Sequence, residues 1–146
     1  MEQSEKLLQS IVENARMGRS ACKQLLERIK DEKILGEIRR ERDSYEEIIR
    51  RGEAEMKKRR IEPKPEGMMQ RMGLYMGMEM NTLTDRSAAH AADILIQGAT
   101  MGIVEMTKAR NSNPEACEAA RSIAADFIVR QQQAIDRLKA HLLQKA

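Results

Sequence analysis

An all-α chain folded as an antiparallel four-helix bundle is the architecture that this sequence predicts. Three observations lead there. Aromatic residues make up 2% of the 146 positions and charged residues 34%, so the core has to be built from Leu, Ile, Met and Ala, which favour helices. Apolar residues recur at steps of three and four through most of the chain, the spacing of a single helical face. A chain of this length also buries a real core as one domain, without disulfide or metal staples.

The first helical stripe is Leu8, Ile11, Ala15, Gly18, Cys22, Leu25 and Ile29. Continued in the same frame it meets Glu32, Gly36, Arg39, Asp43, Glu46 and Arg50, which would turn a charged face inward. A new frame, Leu35, Ile38, Arg42, Tyr45, Ile49, Gly52 and Met56, restores an apolar face. The phase break predicts that the chain reverses near Lys30–Asp31, with Asp31 capping the second helix. This first hairpin spans 4–60. Pro63, Pro65 and Gly67 mark a linker over 61–67. After a short Met-rich helix over 68–82, a second hairpin occupies 87–144. Asp85 or Ser87 caps its first helix, whose stripe is Ala88, Ala92, Leu95, Ala99, Gly102, Met106 and Ala109. Asn113-Pro114-Glu115 reads as the start of the last helix, with Ala120, Ala124, Phe127, Gln131, Ala134, Leu138 and Leu142 on its inner face. The many Ala and Gly positions of this hairpin allow close approach, with Gly98 and Gly102 placed for near backbone contact, and call for the larger side chains of the first hairpin opposite them.

Several classes of function are disfavoured. The net charge of +3 provides no strong pull toward nucleic acid or anionic lipid. The basic run Lys57–Arg60 sits at a helix C-terminus, where it complements the helix dipole without a partner. The stretch Ile94–Val104 is too short to span a bilayer and contains Gln97. The chain opens MEQSEK, unlike a secretory leader, and Cys22 and Cys117 lack metal-ligand spacing; both read as small core residues. A soluble cytoplasmic protein with reduced thiols is expected, with no nucleic-acid or membrane partner. Four-helix bundles of this size can hold paired metals through four carboxylates and two Glu-x-x-His pairs. His90 and His141 have no acidic residue three or four positions before them, so neither metal nor other cofactor is expected. No nucleophile–base arrangement is visible, which argues against catalysis. Glu41, Arg42, Tyr45 and Gln131 lean toward the bundle centre and form either a small-ligand site or, the simpler reading, a buried network that sets helix register.

The segment GMMQRMGLYMGMEM, residues 67–80, has methionine at six of fourteen positions. Met69, Met72, Met76, Met80 and Leu83 form one helical stripe, with Leu74 and Met78 on the opposite side. Thioethers bind copper(I), yet no His or Cys joins them, and methionine is well suited to adaptable packing. Packing is therefore the favoured reading, with ligand or metal binding the alternative. Ile94, Met101 and Val104 form a second apolar strip on the third long helix. Together these faces exceed what a single core absorbs. A homodimer, or a protein partner, with Met76, Met78, Met101 and Val104 at the interface, is expected.

The segment MGLYMGMEMNTLTDRSAAHAADILIQGATMGIVEMTKA resembles small uncharacterised proteins of anaerobic Firmicutes with a ferritin-like fold. The resemblance takes in the first hairpin, the Pro-containing linker, the Met-Gly helix, the Asn81-Thr82-Leu83 turn and the run Gln97–Gly102. It implies a ferritin-like bundle without the di-iron motif, and it assigns no reaction. The expected function is association, with itself or with another protein, and not catalysis.

Overall fold

A computed structural model describes residues 2–64 and 84–142. Among them are four long helices and no strands. Helix α1 is Glu2–Arg28, α2 is Glu32–Lys58, α3 is Ala88–Ser112 and α4 is Glu118–Leu138, followed by a 3₁₀ turn at Lys139–His141. The reversal between α1 and α2 falls at residues 29–31, where the phase of the apolar stripe changes. Asp31 is the N-cap of α2, its carboxylate accepting from the Lys33 N–H at 3.1 Å. Ser87 caps α3 by accepting from the His90 N–H, and Asp85 in turn accepts from the Ser87 N–H. The Met-rich helix expected over 68–82 lies outside the described residues.

Polar side chains at the helix ends settle the topology. Gln9 holds the chain just beyond α2, donating from Nε2 to the Glu62 carbonyl at 2.7 Å and accepting from the Lys64 N–H at 3.1 Å. The end of α2 is therefore beside the start of α1. Ser4 Oγ accepts from the Cys117 N–H and Gln3 Oε1 from the Glu115 N–H, both at 2.7 Å, which brings the start of α4 to the same end. Helix α3 runs antiparallel to α4 and begins at the opposite end. Helix α1 packs against α2 and α3, and α4 packs against the same two, so adjacent helices are antiparallel. The end of α2 and the start of α3 therefore lie at opposite ends of the bundle, whose length is about 40 Å for 27 helical residues.

Asn113-Pro114-Glu115 does not start the last helix. Asn113 is the C-cap of α3, its side chain turned back to donate to the Ala109 carbonyl at 2.8 Å. Its own carbonyl accepts from the Ala116 N–H, so Pro114 sits at the second position of a β-turn, where its fixed φ also fits. Arg121 reinforces this end by donating to the carbonyls of Arg110 and Asn113. Helix α4 opens three residues later, after Cys117, which is thus a half-buried N-cap and not a core residue. The inner face expected of α4 is buried from Ala120 to Leu138, but Leu142 falls beyond the helix and is exposed.

Helix α2 ends in a Schellman motif. The Ile61 N–H donates to the Met56 carbonyl at 2.9 Å and the Arg60 N–H to the Lys57 carbonyl at 3.2 Å. Ile61 and Met56 are both buried, giving the apolar contact that accompanies this cap. The motif needs a left-handed residue, and Arg60 takes that role at φ 58°. A side chain there is strained, whereas glycine is not. Replacing Arg60 with Gly should raise stability by about 0.5–1 kcal/mol in urea unfolding, with Tm up by about 2–4 °C.

Candidate functional site

The centre of the bundle is organised by a missing side chain. A Cβ at Gly18 would lie 2.2 Å from Tyr45 Cζ, so the aromatic ring of α2 rests directly on the backbone of α1. Gly52 does the converse six residues or so further along: an added Cβ there would meet Val12 Cγ2 at 2.7 Å. One large residue from each helix thus fills a gap in the other. Tyr45 Oη donates to Gln131 Oε1 of α4 at 2.9 Å, and its ring meets Phe127 in a tilted pair with centroids 6.3 Å apart. Burial, together with the nearby Cys22 and Glu41, pushes the Tyr45 hydroxyl far above its ordinary pKa, so it stays a neutral donor. Cys22 is fully buried and its thiol is likewise raised, first by burial and then by the Glu41 carboxylate. It packs as the sequence suggests and is not poised for thiolate chemistry.

Of the four expected polar residues, the structure joins Tyr45 with Gln131 and sets the others apart. Glu41 is only 3% exposed and faces α4, where Arg137 Nη2 donates to it at 2.8 Å. Arg137 also donates to Glu37 at 3.1 Å. Burial raises the Glu41 pKa, while the hydrogen bond and charge of Arg137 pull it back. Arg42 does not belong to this group. It is half-buried and pairs with its neighbour Asp43, because the buried frame of α2 runs through Ile34, Ile38, Glu41 and Tyr45 and leaves Arg42 one step off the core face. Arg137 was not among the expected residues; its Cβ lies on a half-buried edge, and apolar periodicity cannot reveal a long side chain reaching back to a neighbouring helix.

Arg137 is the end of a polar seam along α2 and α4. Arg130 donates to Glu47 Oε1 at 2.9 Å and to Asp126, and Arg51 pairs with Asp126 as well. The pairs ascend α4 as they descend α2, so they fix an antiparallel register. The opposite seam, between α1 and α3, is apolar and less tightly filled. A partly open cavity of ≈ 100 Å³ lies there, lined by Met17, Gly18 and Ala21 of α1, by Ile94, Leu95, Gly98, Met101 and Gly102 of α3, and by Tyr45 and Phe127 behind them. Gly98 does not make the expected backbone contact: an added Cβ would meet nothing within 4 Å. Gly102 is packed, but against the Phe127 ring. Asn14, His90, Asp93 and Gln97 supply the polar atoms of the lining.

The second apolar strip of α3 is divided. Ile94 turns into the core, while Met101 at 37% and Val104 at 45% are exposed. Met76 and Met78 lie outside the described residues. Among the described residues no three His, Cys, Asp or Glu side chains form a group able to hold a metal ion, and no described helix is long and apolar enough to cross a membrane. Fold and site together define a four-helix bundle with one polar seam, one apolar seam and a small central cavity. The chain matches no family model, no curated protein and no solved structure.

Two outcomes test this description. Gly36, on the exposed side of α2, has open space around it, so Gly36→Ala should stabilise by about 0.5–1 kcal/mol through helix propensity. The same substitution at Gly18 should destabilise by about 2 kcal/mol, because the Tyr45 ring has to move; chemical denaturation of the pair measures both signs. Replacing Arg137 with Met strands the Glu41 charge, at a cost of about 2–3 kcal/mol at pH 7, moderated because Arg137 reaches solvent. With its folded pKa above the unfolded value, Glu41 takes up a proton as pH falls through that raised pKa, and the deficit should shrink toward pH 4.5.

Proposed function

We propose that this protein is a non-catalytic, cytoplasmic, ferritin-like bundle that acts by associating with a second copy of itself. The ferritin-like assignment draws on the topology: one long connection, between the second and third helices, joins opposite ends of the bundle, as in ferritin-like folds. The Firmicutes resemblance along 72–109 agrees with that assignment. The observation that carries the association is the exposure of Met101 and Val104, one helical turn apart on α3, beside the apolar α1–α3 seam. An aliphatic patch on a helix already apolar on its inner side is what a self-complementary interface uses, and methionine adapts readily to a twin surface.

Binding of a protein of another kind would use the same strip. Polar chemistry at mid-bundle has weaker support, since Tyr45, Gln131, Glu41 and Arg137 already satisfy one another. Sedimentation at micromolar concentration should show a dimer, and Met101→Glu with Val104→Glu should dissociate it with unchanged helicity by circular dichroism. A monomer at all concentrations, or a dimer indifferent to both substitutions, would reject self-association through α3.

A further inference from the structure

The outer face of α3 has the same spacing read from either end. Asp93, Gln97, Thr100, Met101, Val104 and Lys108 are exposed along it, on the side away from the buried Leu95, Ala99, Gly102 and Met106. Successive steps are four, three, one, three and four residues, so the row is symmetric about the Thr100–Met101 step. Asp93 stands seven residues before Thr100 and Lys108 seven after Met101. Each charge is therefore about 11 Å from the centre, at 1.5 Å per residue. One is negative and the other positive.

Both charges are open to a partner. Asp93 accepts from the Gln97 amide at 3.2 Å, and neither it nor Lys108 has an ion-pair partner among the described residues. Glu105 and Arg110, the other charged residues in this half of α3, are half-buried at its sides. In the α2–α4 seam, by contrast, Arg51, Arg130 and Arg137 each meet a carboxylate.

A two-fold interface joins the same surface of two copies, so the order of charges decides their orientation. Laid parallel, the copies set Asp93 against Asp93 and Lys108 against Lys108. Laid antiparallel about the Thr100–Met101 step, they bring each Asp93 level with Lys108 of the second copy and each Gln97 level with Val104. Met101 then meets its twin beside the axis. Asp93 and Lys108 lie about 60° apart around the helix, an offset that the flexible four-carbon stem of lysine spans.

We propose that the second copy lies antiparallel along the outer face of α3, held in register by two Asp93–Lys108 ion pairs that flank a centre of Met101 and Val104. This arrangement rests on the self-association proposed above and adds its orientation and register.

Charge exchange tests it, with sedimentation at low salt and circular dichroism as the check on folding. Every substitution on this face counts twice in a two-fold dimer. Asp93→Lys alone and Lys108→Glu alone should each weaken the dimer about tenfold, by turning two exposed attractions into repulsions. An equal mixture of the two variants should form dimers at concentrations where each alone is monomeric, because both ion pairs are restored between unlike chains. The chain carrying both substitutions should recover the native constant. A native dimer that Met101→Glu with Val104→Glu dissociates, but whose constant neither single charge variant changes, would overturn the antiparallel register and leave self-association standing. A native protein that is monomeric at all concentrations would overturn both.

Discussion

Tyr45 lies where a side chain of Gly18 would otherwise project, and the bundle centre is arranged around that contact. The ring reaches the α1 backbone because position 18 carries no Cβ. From there its hydroxyl reaches Gln131 on α4, and its face becomes one wall of the cavity beside α3. Four helices thus meet at one aromatic residue in a chain with very few aromatics. The contact also explains why a polar pair is tolerated in an aliphatic core. Tyr45 and Gln131 satisfy each other in a fixed geometry, which holds α2 and α4 in one register relative to α1.

The two sides of the bundle are held by different physics. Along α2 and α4, Arg51, Arg130 and Arg137 meet Asp126, Glu47, Glu37 and Glu41 in an antiparallel ladder. Most of these pairs are partly exposed and contribute little stability individually. Their effect is directional, because like charges would face one another in a shifted register. Between α1 and α3 the contact is apolar and small-residue rich, and shape is its main constraint. Gly102 lets α3 sit close against Phe127 of α4, but a void remains at Gly98 on the side toward the cavity. The void, the flexible methionines and the exposed part of α3 coincide on that apolar side.

Much of the fold was legible in the residues. The phase break after Ile29 located the α1–α2 turn because a buried stripe cannot become charged without the chain changing direction. Asp31 was legible as a cap, and Ser87 as one of two candidates beside Asp85, because short polar side chains reach the first free N–H groups of a helix. Asn113-Pro114-Glu115 misled for a related reason. The same residues suit a β-turn as well as a helix start, and Arg121, eight residues away from Asn113, helps close the end of α3 there. Arg42 and Glu41 illustrate the limit of periodicity at mid-bundle: adjacent positions differ by 100° around a helix, and packing against α4 selected Glu41.

The sequence by itself determined the class of structure, the positions of the α1–α2 reversal and most of the buried stripes, since these follow from local spacing and capping chemistry. It also placed Tyr45 and Gln131 inward. Tertiary structure alone decided which helices are neighbours and that the α2–α3 connection joins opposite ends, because these depend on contacts such as Ser4 with Cys117, 113 residues apart. It likewise decided that Arg137 pairs with Glu41, that Gly18 receives a ring while Gly98 faces a void, and that the Asn14 acceptor has no partner among the described residues. A glycine or an asparagine looks the same in any helix; what it does depends on the atom that the opposite helix brings to it.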